Sequence, residues 1–197
     1  MPIADKFASL DLPFTPISDS AQGVDMNERD FHILCLTGLG SISNRVAASL
    51  LVASVTFSLD TSIYASGDVL SDTQAITSAF RVSGGGGKVT QIALLDKDDQ
   101  TAAGIDVVFF RSNTSLGTEN AAPSISDTNA AEILGIVSVA SGDWIDIGGS
   151  KLATKTLATP LEVQATTGTS LYVALITRGT PTQTASGIIG KFSIRQD

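Results

Sequence analysis

The sequence predicts an all-β protein: a β-sandwich of jelly-roll-like build, with one short helix and an extended N-terminal arm. Three observations carry this. From Ser54 onward apolar residues recur with period two, the spacing of a strand with one buried face. Clusters of Gly, Pro, Asp and Ser interrupt these runs at near-regular intervals, as in sandwiches and barrels rather than parallel sheets with crossover helices. The first 30 residues hold Pro2, Pro13 and Pro16 and no apolar period, so they cannot build a core alone. We divide the chain into an arm, residues 1–30, and a single β-sandwich domain, residues 31–197.

In the arm, Phe7, Leu10, Leu12, Phe14 and Ile17 are spaced like anchors. An ordered arm would lie against its own domain or a neighbouring subunit. FHILCL, from Phe31 to Leu36, reads as a strand and GLGSISN as a turn; Arg45–Val52 reads equally as a short helix or the start of a strand. In SVTFSLD, Val55, Phe57 and Leu59 point one way and Ser54, Thr56 and Ser58 the other. Further strands are expected at Ala75–Val82, Lys88–Asp96, Ile105–Arg111, Gly135–Val139, Asp143–Ile147, Leu161–Ala165, Leu171–Thr177 and Gly187–Arg195. VVFF, Val107–Phe110, is apolar on both faces, which suits a strand covered on both sides or one that meets another subunit. A helix is expected over Thr128–Leu134, capped by Asp127 and closed by Gly135.

Only 16% of the chain is charged, against about 25% in ordinary domains. That suits neutral sheet faces or surfaces covered by a partner. The net charge of −8 and the scattered Lys and Arg argue against a nucleic-acid partner, which requires clustered cations. MPIADKFASLDLPF has no basic leader or long apolar stretch, so we expect no signal peptide, and no apolar run approaches the roughly 20 residues of a membrane span.

Each candidate for chemistry has a plainer structural reading. SGGGGK, Ser83–Lys88, lacks the spacing and the hydroxyl of a phosphate loop and precedes a strand, so we expect a flexible connection. His32 is the sole histidine and lies in an apolar run, with no G-x-S-x-G elbow anywhere. Cys35 is the sole cysteine and reads as a small buried hydrophobe. Asp96, Asp98 and Asp99 alternate like calcium ligands but lack the glycine and glutamate of an EF-hand; a polar hairpin turn is the expectation and calcium the alternative. Asp143 and Asp146, three apart on a strand, fall on opposite faces, a poor glycosidase pair. Trp144 and Tyr172 read as core or interface anchors, with sugar stacking as the alternative for Trp144. We therefore expect no catalytic residues, metal or cofactor, and no enzyme.

YASGDVL (Tyr64–Leu70), LLDKDDQ (Leu94–Gln100), DVVFFRSN (Asp106–Asn113) and SLYVALITRGTPTQTASGI (Ser170–Ile188) together resemble a family of tailed-bacteriophage structural proteins, over about Phe57 to the C-terminus. The resemblance implies a head decoration, or cement, protein: a virion component made in the host cytoplasm that sits on the capsid exterior, commonly as a homotrimer, and clamps neighbouring major capsid subunits. Phe7, Leu10, Leu12, Phe14, Ile17 and Phe109 are then the expected partner-binding residues. The alternative is a tail-tip or fibre module that binds host-surface carbohydrate or receptor.

Overall fold

The computed structural model describes residues 49–100 and 103–197. Nine strands are assigned among them: β1 (Ser49–Thr56), β2 (Val69–Ile76), β3 (Gly86–Asp96), β4 (Ile105–Phe110), β5 (Ile133–Val139), β6 (Trp144–Asp146), β7 (Lys151–Gln164), β8 (Leu171–Thr177) and β9 (Ile188–Gln196). They form a five-stranded sheet, β1-β9-β3-β7-β6, and a four-stranded sheet, β2-β8-β4-β5. Every pairing is antiparallel. With the short edge strand β6 set aside, the pairs β1·β9, β2·β8, β3·β7 and β4·β5 zip the two halves of the chain together. That is a jelly roll.

Alternation decides which side chains enter the core. Along β9, Ile188, Gly190, Phe192, Ile194 and Gln196 are buried, while Ile189, Lys191, Ser193 and Arg195 face outward. Val55, Phe57 and Leu59 are buried as their spacing requires. Undecided Arg45–Val52 reaches into β1, so its described part is strand. Phe109 of β4 and Phe192 of β9 meet edge to face, with ring centroids 5.8 Å apart, and join the two sheets.

VVFF is apolar on both faces because both are covered by this same chain. Val107 and Phe109 enter the inter-sheet core. Val108 and Phe110 point the other way, into a second cluster with Val69, Leu116, Ala174 and Ile176. Leu116 and Ile125 belong to the β4–β5 connection, which folds back over the outer face of the four-stranded sheet. Asp72 pins it there: its carboxylate accepts the Leu116 N–H and the Ser115 hydroxyl, both at 2.7 Å. Phe109 is 0% exposed; its assignment to a partner surface is corrected to the core.

Four other expectations are corrected. The strand expected at Ala75–Val82 is β2, which ends at Ile76; polar Ser71–Gln74 and two register shifts hide its period. The expected helix is one turn, α1 (Asp127–Ala130), capped by the Ser126 hydroxyl, because Ile133 already pairs with Phe110. The strand expected at Leu161–Ala165 is the end of the much longer β7; Pro160 is tolerated because residues 157–160 fall in a register break opposite β3. In the glycine loop, Gly86 and Gly87 already belong to β3, and a Cβ on Gly87 would strike the Arg195 carbonyl, so they are strand rather than flexible connection.

Candidate functional site

The segments 60–68, 96–100 and 178–187 are far apart in sequence and meet in one loop cluster. The Tyr64 N–H donates to the Pro181 carbonyl at 3.0 Å, and Ile63 forms an isolated bridge with Thr182. The Gly67 N–H donates to the Thr177 carbonyl (2.8 Å), and the Thr177 N–H returns to the Asp68 carbonyl (3.0 Å). The Lys97 N–H donates to the Gly187 carbonyl (2.9 Å). These main-chain bonds satisfy groups that a sheet ladder no longer reaches.

The carboxylates of this cluster close loops. Asp98 accepts the Thr184 N–H at 2.7 Å and the Thr184 hydroxyl at 2.9 Å. Asp96 accepts the N–H groups of Asp98 (2.9 Å) and Gln100 (3.2 Å), and Asp99 pairs with Lys151. The segment is therefore not a hairpin turn: it connects β3 of one sheet to β4 of the other. Among the described residues, no group of three or more His, Cys, Asp or Glu side chains could hold a metal ion. Asp98, Gln100, Thr182 and Thr184 also line an open depression of about 500 Å³, whose polar groups are hydroxyls, amides and the one Asp98 carboxylate.

Gly187 sits at the crowded centre of the cluster. A Cβ there would collide with the Asp98 carboxylate and the Gln183 amide oxygen, so any larger residue must displace both side chains. Gln183 is 5% exposed and its amide oxygen has no hydrogen-bond partner among the described residues. Tyr64, 2% exposed, closes the neighbouring side: its hydroxyl accepts the Asp60 N–H (2.7 Å) and donates to the Leu70 carbonyl (3.1 Å). Burial pushes its pKa up to about 12.

The other sequence candidates are dispersed. Asp143 accepts the Ala140 N–H and, at 3.0 Å, the Lys155 ammonium; the Ala140 bond, then Lys155, hold its carboxyl below the usual range. Asp146 accepts the Gly148 N–H, so the two carboxylates have separate structural work. Trp144 is half-buried against the core with its indole N–H on the Ala103 carbonyl (2.8 Å). Tyr172 packs in the outer cluster. Phe7, Leu10, Leu12, Phe14, Ile17, His32, Cys35 and the FHILCL strand lie outside the described residues. The Asp98–Thr184 tie is the feature sequence reading missed; without strand order, nothing brings those two segments together.

Among the described residues no helix is long and apolar enough to cross a membrane. No protein-family model matches this chain, and no curated protein matches it. Among solved structures, a chain in "Structure of infectious bursal disease virus Gx strain" matches at 12% identity with a TM-score of 0.18. The match covers 75% of this chain and 38% of that one. At that TM-score the likeness says nothing about fold or function.

Proposed function

We propose that this protein is a non-enzymatic decoration, or cement, protein of a tailed bacteriophage head, bound to the capsid exterior and stabilising contacts between major capsid subunits. The observation that carries the proposal is the loop cluster. Three of the four segments with phage resemblance, YASGDVL, LLDKDDQ and the stretch around TRGTPTQTAS, are hydrogen-bonded neighbours there. The four segments also supply most of β4, all of β8, the end of β3 and the start of β2, so the likeness runs through both sheets as well as the loops that join them.

The physics of the chain supports the role. A two-layer sandwich with a second apolar cluster on its outside is a stiff block, and stiffness suits a clamp. Binding to a symmetric lattice engages many copies, so each contact can be modest and the assembly still hold. Phe7, Leu10, Leu12, Phe14 and Ile17 are the anchors we assign to the capsid, and a homotrimer is the assembly we propose.

Co-sedimentation of the purified protein with capsids lacking it tests the reading. Saturable, stoichiometric binding, weakened when Phe7 and Phe14 are both replaced by Ala, is the expected result. No binding to heads, together with binding to host envelopes, would replace it with the tail-tip reading.

A further inference from the structure

The two outer faces of the sandwich are unlike. The four-stranded sheet is covered over β2, β8 and β4 by its own chain through Leu116 and Ile125, which leaves Ile136 of β5 exposed. The five-stranded sheet has no such covering segment among the described residues, and its outer face is ordered in rows. Ile189 of β9 pairs with Leu95 of β3, Leu95 with Leu152 of β7, and Leu152 with Ile145 of β6. All four side chains point outward, so one aliphatic row crosses four adjacent strands. Ile145 is 67% exposed.

The row beside it carries Lys191, the next, Val52–Ser193–Gln91, is neutral, and the one beyond carries Arg195. Lys191 lies between Ser54 and Ala93, and Arg195 between Leu50 and Lys88. Lys88 is answered by Glu162 at 2.7 Å, whereas Lys191 and Arg195 are exposed and form no ion pair with the described residues. In a chain of net charge −8, a face with two unanswered cations beside an aliphatic row departs from the whole. Phosphate backbones would find the cations but nothing to do with the row, and the rest of the chain would repel them. A protein surface with carboxylates beside apolar side chains satisfies both.

We propose that the outer face of the five-stranded sheet is the docking surface, and that its occupant is an acidic, apolar-bordered protein surface of the capsid; this rests on the decoration reading above. Lys191 and Arg195 set orientation and the rate of encounter, and the Ile189–Leu95–Leu152–Ile145 row is the area desolvated.

The test is co-sedimentation of the full chain with capsids lacking it, comparing the native protein with Lys191→Glu/Arg195→Glu, the neutral pair Lys191→Gln/Arg195→Gln, Ile145→Asp, and Ile136→Glu on the opposite sheet. Denaturation midpoints identify any variant that has lost its fold. The inference expects native binding that weakens with salt, a loss of about tenfold or more for the Glu pair, smaller losses for the Gln pair and Ile145→Asp, and none for Ile136→Glu. Native binding matched by the Glu and Gln pairs overturns this face while leaving the decoration reading standing. Failure of the native protein to bind overturns both, and capture by duplex DNA in place of capsid overturns the acidic-protein occupant.

Discussion

Phe109 on β4 and Phe192 on β9 stand at 86° to each other, one ring edge on the other's face, across the gap between the sheets. Gly190 makes room for Phe192 and for Phe57 beside it: a Cβ there would collide with both rings. Phe109→Ala is therefore expected to cost about 3–5 kcal/mol of stability, the range for emptying an aromatic core site. Urea denaturation of the purified variant measures it; a loss within a few tenths of a kcal/mol would mean that Phe109 is not a core residue.

The loop cluster depends on Gly187. Gly187→Ala forces Asp98 and Gln183 to move, with an expected cost of about 1–3 kcal/mol. Asp98→Ala, which leaves the exposed Thr184 N–H to water, should cost about 0.5–1.5 kcal/mol. If both variants melt with the native protein, the three segments are not tied as described.

The outer cluster makes a separate prediction. Asp72→Ala removes the acceptor for Leu116 and Ser115, so the β4–β5 connection should lift from the sheet. Limited proteolysis should cut faster between Ser112 and Ile125, with the sandwich core intact. An unchanged cleavage rate would count against Asp72 as the pin.

Tyr64 gives the alkaline behaviour. Its folded pKa of about 12 lies above the ordinary tyrosine value of 10.0, because burial disfavours the phenolate. The folded state holds the proton more tightly, so this contribution is complete below pH 10 and is lost as pH rises from 10 toward 12. Denaturation midpoints of the native protein should fall across that window, and Tyr64→Phe should flatten this part of the fall. An equal slope in both proteins would place the effect elsewhere.

Much of this fold is legible in the sequence wherever one strand face is buried and the other wet. Ile188–Gln196 is read to within one residue because its alternation is unbroken, and Leu171–Thr177 to the residue because it is a continuous apolar run, buried on both faces and bounded by polar turns. β2 is misread because Asp72, Thr73 and Gln74 are chosen for what they bond across the β4–β5 connection and for two bulges, not for a period. The start of β7 is missed because Thr and Lys alternate there with Ala and Leu too weakly to mark a face. Phe109 is apolar whether it faces a core or a partner, so composition alone cannot tell the two apart; the Leu116 that covers its neighbours comes from the connection just after β4, whose folding back over the sheet no strand period records. The loop cluster depends on strand order, which no local pattern encodes.

The measurement that tests cementing most directly is heat-driven genome release from filled heads lacking this protein, with and without its addition at saturating concentration. The account predicts that added protein shifts release to higher temperature, and that Lys191→Glu/Arg195→Glu shifts it less. Release at the same temperature with and without bound native protein would contradict it.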